Sequence, residues 1–273
     1  MAGEFDLIRA FFRDGWPAGD DLVLGVGDDA ALIDPHIVHP DTVSGEPVSG
    51  GPARADVRIR TASAVRTGAG VASGGCTGSA LRPETASALA RSILSEATMA
   101  LAVRGCTARW MTLSLAIPEV SHPWLETFSS ALRELAGAWD IRLVGGDTTK
   151  GPLNVAIFAQ GVEALIQTRP AQERSLNLLM SHHFDPSQTA AIARAGWPVR
   201  LTADMTSHGM TQFATAHGFG NIELGPPELS SSDQSIGPRV LTLVSDHEVN
   251  RLAHDAPDAF RLLGYAKALP PTQ

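Results

Sequence analysis

The chain has 273 residues, 44% of them hydrophobic, and a formal net charge of -8. That is enough apolar material for one large core or two of ordinary size. The acidic balance, with no basic stripe, excludes nucleic acid as the expected partner. No apolar run approaches the roughly 18 residues of a membrane span. Glu4, Asp6 and Arg9 interrupt the N-terminal apolar residues, so no signal peptide is read there. Cys76 and Cys106 lack metal-like spacing and read as free thiols of a cytoplasmic protein.

In chain order, Phe5, Ile8, Phe11 and Phe12 predict a helix over 4–13. Leu22–Val26 reads as a short strand, leading through Gly27-Asp28-Asp29-Ala30-Ala31 to a second apolar run at Leu32-Ile33. Residues 42–80 are rich in Ser, Gly, Thr, Ala, Val and Pro, and only Val57–Arg60 alternates. The segment is expected to be a long loop, partly mobile. An Ala-rich helix follows from Pro83 to about Val103, then a strand over Trp110–Ile117. Trp124, Phe128, Leu132, Leu135 and Trp139 make one helical face after Pro123. A strand is expected over Leu153–Val162, and a boundary at about 164–175. Beyond it the pattern reads strand (176–180), helix (187–195), strand (199–203), helix (209–217), strand (239–245), helix (247–254) and strand (261–266). This mixed order predicts an α+β architecture, with one domain over 1–163 and a second over 164–273.

The most informative segment is Val144-Gly145-Gly146-Asp147-Thr148-Thr149-Lys150. It reads as a tight polar turn between two strands, offering a carboxylate, two hydroxyls and an ammonium. Such a group suits a metal-bound phosphate: carboxylate to Mg²⁺, hydroxyls and Lys to phosphate oxygens. A plain hairpin whose aspartate bonds its own backbone is the alternative. Further acidic residues stand at strand ends beside small or hydroxyl residues: Asp28, Asp29, Asp41 and Asp204. His182-His183-Phe184-Asp185 reads as a loop before a helix rather than a metal site, and Asp246-His247-Glu248 as a helix start.

These motifs resemble thiamine-monophosphate kinase. The resemblance is carried by Gly3–Ile8, then Gly25-Val26-Gly27-Asp28-Asp29-Ala30-Ala31-Leu32. It continues in Trp110-Met111-Thr112-Leu113-Ser114-Leu115-Ala116-Ile117-Pro118, Trp124-Leu125-Glu126 and the Gly-Gly-Asp segment. It is good over 3–42 and 105–162, weak over 200–268 and absent over most of 43–95. The wider superfamily includes aminoimidazole-ribotide synthetase, selenophosphate synthetase and hydrogenase-maturation relatives. The resemblance implies a two-domain PurM-like fold: an N-terminal mixed sheet that pairs with a dimer mate, then a shortened C-terminal α/β domain. It implies ATP and Mg²⁺ in the cleft between the domains. Position by position, it implies Asp28, Asp29, Asp41, Asp147 and Asp204 as metal ligands. Gly146, Asp147, Lys150 and Thr206 are then nucleotide contacts.

The departures from the family pattern are specific. His39 and Pro40 replace the Ser and Thr before Asp41, and the loop that would carry a substrate-contacting His is Gly/Ser-rich. The family's helix aspartate falls on Ala100, with Glu96 one turn earlier. A late Gly-Gly-Asp-Asp-Tyr-Glu motif appears as Ser235–Val240, without a carboxylate. The resulting expectation is an ATP- and Mg²⁺-dependent phosphotransferase acting on a small-molecule acceptor other than thiamine monophosphate. The alternative is a catalytically degenerate relative serving as a binding partner.

Overall fold

This computed structural model describes residues 4–17, 19–26, 31–33, 58–67, 81–163, 175–202, 206–224, 239–256 and 258–268. The chain divides into two compact units. One comprises residues 1–102 and 106–164, the other 103–105 and 165–273.

The first unit opens with a helical turn α1 (Glu4–Leu7) that widens into a π-helical turn over Ile8–Arg13, burying Leu7 and Phe12. A short antiparallel ribbon, β1 (Leu22–Leu24) and β2 (Leu32–Ile33), follows. Next come β3 (Arg58–Thr67), α2 (Pro83–Ala102), β4 (Cys106–Ile117), α3 (His122–Ala138), β5 (Arg142–Lys150) and β6 (Asn154–Glu163). The four longer strands form one sheet in the order β3-β6-β4-β5. The pair β4–β5 is parallel; β4–β6 and β3–β6 are antiparallel. Parallel neighbours need a crossover, and α3 supplies it.

Both helices cover one face of this sheet for a reason visible in their spacing. Ala86, Ala90, Ile93, Leu94, Ala97 and Leu101 recur along one side of α2, and Trp124, Leu125, Phe128, Ala131, Leu132 and Ala136 along one side of α3; all are buried. Trp124 and Phe128 stack with ring centroids 5.0 Å apart. Met111, Leu113, Leu115, Val155, Ile157 and Ala159 complete this core from the sheet. The opposite face is capped at one end by the ribbon, where Leu22 and Ile33 pack on Trp110, Val144 and Val162.

Two expectations are corrected here. Residues 58–67, expected as loop apart from a short alternating run, form the ten-residue edge strand β3. Its helix-facing side carries Ala62 and Ala64 between arginines, so the sequence shows little hydrophobic alternation. The Gly-Gly-Asp-Thr-Thr-Lys segment is not a turn but the second half of β5. Nor do β5 and β6 form a hairpin, because they lie on opposite sides of β4. Gly151 to Leu153 pass over the end of β4, where the Gly151 amide donates to the Ile117 carbonyl at 2.9 Å. Pairing along β4 overrides a composition that by itself favours a turn.

The second unit contains β7 (Ser175–Ser181), α4 (Pro186–Arg194), β8 (Val199–Thr202), α5 (Ser207–Ala216), β9 (Phe219–Leu224), β10 (Arg239–Val244), α6 (Asp246–Asp255) and β11 (Phe260–Ala268). Its sheet runs β8-β10-β7-β11-β9, with every neighbouring pair antiparallel. The α+β class expected from the sequence holds. Strand β9 was not anticipated: it follows α5 after only a two-residue turn. Each helix of this unit starts on a side-chain cap. Asp185 accepts from the Gln188 amide at 2.9 Å, Thr206 from Gly209 at 3.2 Å and Ser245 from Glu248 at 3.2 Å. No helix among the described residues is long and apolar enough to cross a membrane.

Candidate functional site

The core of the candidate site is the second half of β5. Gly146 sits at φ +152°, and a Cβ built on it falls on the carbonyl oxygen of Leu113 in β4. Only glycine lets the two backbones approach this closely while keeping the strand. The register pairs Gly146 with Leu113 and Asp147 with Ser114.

Strand alternation then divides the polar residues. Asp147 and Thr149 share the face of Ser114 and Ala116, away from the helices. Thr148 and Lys150 align with the buried Leu115 and Ile117 on the helix-covered side. One row across the open face reads Val65, Ala156, Ser114, Asp147; the next reads Thr67, Asn154, Ala116, Thr149. The Asp147 side chain is exposed and makes no hydrogen bond or ion pair with any described residue. An uncommitted carboxylate flanked by hydroxyls and a bare glycine backbone is a hard-oxygen donor set, and it fits Mg²⁺ carrying a phosphate. Lys150 does not share that face, although its place at the strand end leaves its ammonium exposed.

The remaining sequence-derived candidates separate into two groups. Asp28, Asp29, Asp41 and Asp204 lie outside the described residues. Thr206 is described and is the N-cap of α5. Its hydroxyl oxygen accepts from the Gly209 amide, which explains the Thr-x-x-Gly spacing without a ligand. Glu96, the possible stand-in for the missing helix aspartate, is ion-paired with Arg66 of β3. Arg66 faces the helices, so this pair lies across the sheet from Asp147. Asp185 is the N-cap of α4, accepting from the Gln188 amide. Among the described residues no group of three or more potential metal ligands gathers.

Sequence reasoning missed a buried polar cluster at the start of β5. Asp21 is 3% exposed; it accepts from the indole N–H of Trp110 at 2.7 Å and from Arg142 Nη1 at 3.3 Å. Arg142 also reaches Asp140 at 3.5 Å, and Arg109 pairs with Asp140 at 2.5 Å. Asp140 adopts a left-handed φ of 52°, which aspartate tolerates better than most residues. The signal available in the sequence is Gly19-Asp20-Asp21 immediately before β1. A Cβ on Gly19 falls on the Arg142 guanidinium. At the far edge of the sheet, Glu163 of β6 takes two hydrogen bonds of 3.0 Å from Arg60 of β3. Those bonds hold the Glu163 carboxyl below its usual range and the Arg60 guanidinium above its own.

Comparisons with known proteins bear on this geometry. Residues 63–162 match the family model described as AIR synthase related protein, N-terminal domain. That span begins inside β3, so the likeness extends into the segment where no motif was recognisable. The thiamine-monophosphate kinase of Salmonella typhimurium (strain LT2) is 32% identical over 174 residues, 63% of this chain and 44% of that protein. The match thus covers less than half the length of that relative. The solved thiamine-monophosphate kinase of Stenotrophomonas maltophilia K279a superposes with a TM-score of 0.59 at 20% identity, covering 97% of this chain and 93% of that one. AaThiL, solved in complex with AMPPCP and TMP, superposes with a TM-score of 0.50 at 12% identity, over 78% and 82% of the two chains. These likenesses show the fold, a PurM-like α+β arrangement.

Proposed function

We propose that this chain, similar to thiamine-monophosphate kinases and to the AIR-synthase-related N-terminal domain, is an ATP- and Mg²⁺-dependent phosphotransferase with a small-molecule acceptor. The observation that carries this reading is the Gly146-Asp147 pair. A glycine forced by close strand contact delivers a carboxylate with no partner among the described residues to one face of the sheet.

In this reading Asp147, with Asp28, Asp29 and Asp41, holds the cation, and Gly146 sets the position of Asp147 by letting β5 lie close against β4. The Mg²⁺ supplies charge neutralisation on the phosphates. Lys150, long enough to turn back over the strand end, adds positive charge beside them. A phosphate acceptor is already ionised and needs no general base. The rewritten Gly/Ser-rich segment favours an acceptor other than thiamine monophosphate. We place the protein in the cytoplasm as a homodimer. Support for the dimer comes from the open face, where Val65 is 50% and Phe158 41% exposed.

Calorimetric titration with Mg·ATP tests the proposal. Wild type is expected to bind, and Asp147→Ala to lose binding at least tenfold while keeping its fold. No heat from wild type overturns the kinase reading. It would favour the second reading, a degenerate relative acting as a binding partner, which the tying of Glu96 to Arg66 specifically supports.

A further inference from the structure

The Asp21–Arg142–Trp110 cluster has no part in the chemistry proposed above, yet its construction is specific. The chain turns tightly at Gly19, where the Leu22 amide donates to the Gly19 carbonyl at 3.1 Å. The turn lays the Gly19 backbone against the Arg142 guanidinium so closely that any side chain there would displace the guanidinium. It also delivers Asp21, nearly fully buried, onto two donors from different strands: Trp110 of β4 and Arg142 of β5. Trp110 is itself fully buried beneath Leu22 and Ile33 of the ribbon. A buried carboxylate between an arginine and an indole fixes position, because losing either partner strands a desolvated polar group.

What it fixes is the β1–β2 ribbon on the open face of the sheet, the face that carries Asp147 further along β5. Asp21 immediately precedes β1, and Arg142 is the first residue of β5. One ion pair therefore ties the root of the ribbon to the root of the strand bearing Gly146 and Asp147. We propose that Asp21 and Arg142 are positioning residues: they anchor the ribbon over this face and so set the affinity of the Asp147 site for Mg·ATP. The proposal rests on the nucleotide reading of that site.

The test combines Mg·ATP calorimetry on wild type, Asp147→Ala, Asp21→Asn and Gly19→Ala with amide exchange of Leu22–Leu24 and Leu32–Ile33. Asp21→Asn retains an acceptor for Trp110 but removes the charge facing Arg142. Gly19→Ala displaces Arg142 and leaves every charge in place. Both are expected to weaken Mg·ATP at least tenfold and to speed exchange in the ribbon, while β4–β6 amides exchange as in wild type. In wild type, Mg·ATP is expected to slow exchange in the ribbon. Wild-type affinity in either folded variant overturns the proposal, as does ribbon exchange indifferent to Mg·ATP in wild type. The wild-type exchange measurement decides the matter even where a variant fails to fold. Two failures are distinguishable. If wild type does not bind Mg·ATP, the kinase reading falls and the anchor's role falls with it. If wild type binds, Asp147→Ala does not and Asp21→Asn binds normally, only the anchor falls.

Discussion

Gly146 and Asp21 show how single positions carry this site. Gly146→Ala pushes a methyl into the Leu113 carbonyl at a φ that L-residues rarely adopt. The ladder between β4 and β5 must open, and a loss of about 3 kcal/mol is expected in denaturant unfolding. Loss of nucleotide binding in that variant reports a damaged strand, so Asp147→Ala is the cleaner probe of the ligand. The two residues differ in how readable they were. The Gly-Gly-Asp run stands out in the sequence because its residue types suit phosphate chemistry directly. Asp21 does not, since its meaning depends on Trp110 and Arg142, both remote in sequence. The face on which Lys150 lies was equally hidden, because a turn gathers neighbours on one side and a strand alternates them.

Helices and strands with strong periodicity were legible, and those defined by a neighbour were not. Helices α2 and α3 announce themselves through apolar spacing, as do the core strands β4 and β6. The caps of α4, α5 and α6 are local and chemically simple. Replacing Asp185, Thr206 or Ser245 by Ala is expected to cost about 1 kcal/mol each in the unfolding of the second unit. Strand β3 is held differently, by its ladder to β6 and by the Arg60–Glu163 pair. The folded Glu163 carboxyl titrates below its unfolded value, chiefly through the Arg60 hydrogen bonds. Its contribution is therefore complete above about pH 4.3, the unfolded value, and is lost as acid approaches the lower folded value. Asp255, lowered first by His254 and then by Arg251, behaves the same way on α6. Stability is expected to be flat from neutral pH to about 5 and to fall beneath that. Glu163→Gln should remove part of the acid slope in melts recorded against pH.

At the scale of the whole molecule, the mixed sheet of the first unit has one face committed to helices and the other only partly covered. Ile59, Val65 and Phe158 remain exposed on the open side. The homodimer proposed here buries the part of that side around Val65 and Phe158. Val65→Asp is expected to shift the protein to monomer in sedimentation equilibrium, with helix content retained in circular dichroism. An unchanged dimer would place the interface elsewhere. The α+β class was legible because alternating helices and strands leave a pattern in the sequence.

The position of β4 between β5 and β6 also governs the order in which this protein can fold. Arg58 pairs with Glu163 and Thr67 with Asn154, so the edge strand made first waits for the strand made last in its unit. Closing so long a loop is entropically slow. During synthesis α2, β4, α3 and β5 can assemble as a parallel βαβ core, while β3 stays without a partner until the chain has passed residue 163. A nascent chain stalled before Asn154 thus presents an unpaired strand, and that stage is where aggregation or chaperone dependence should concentrate.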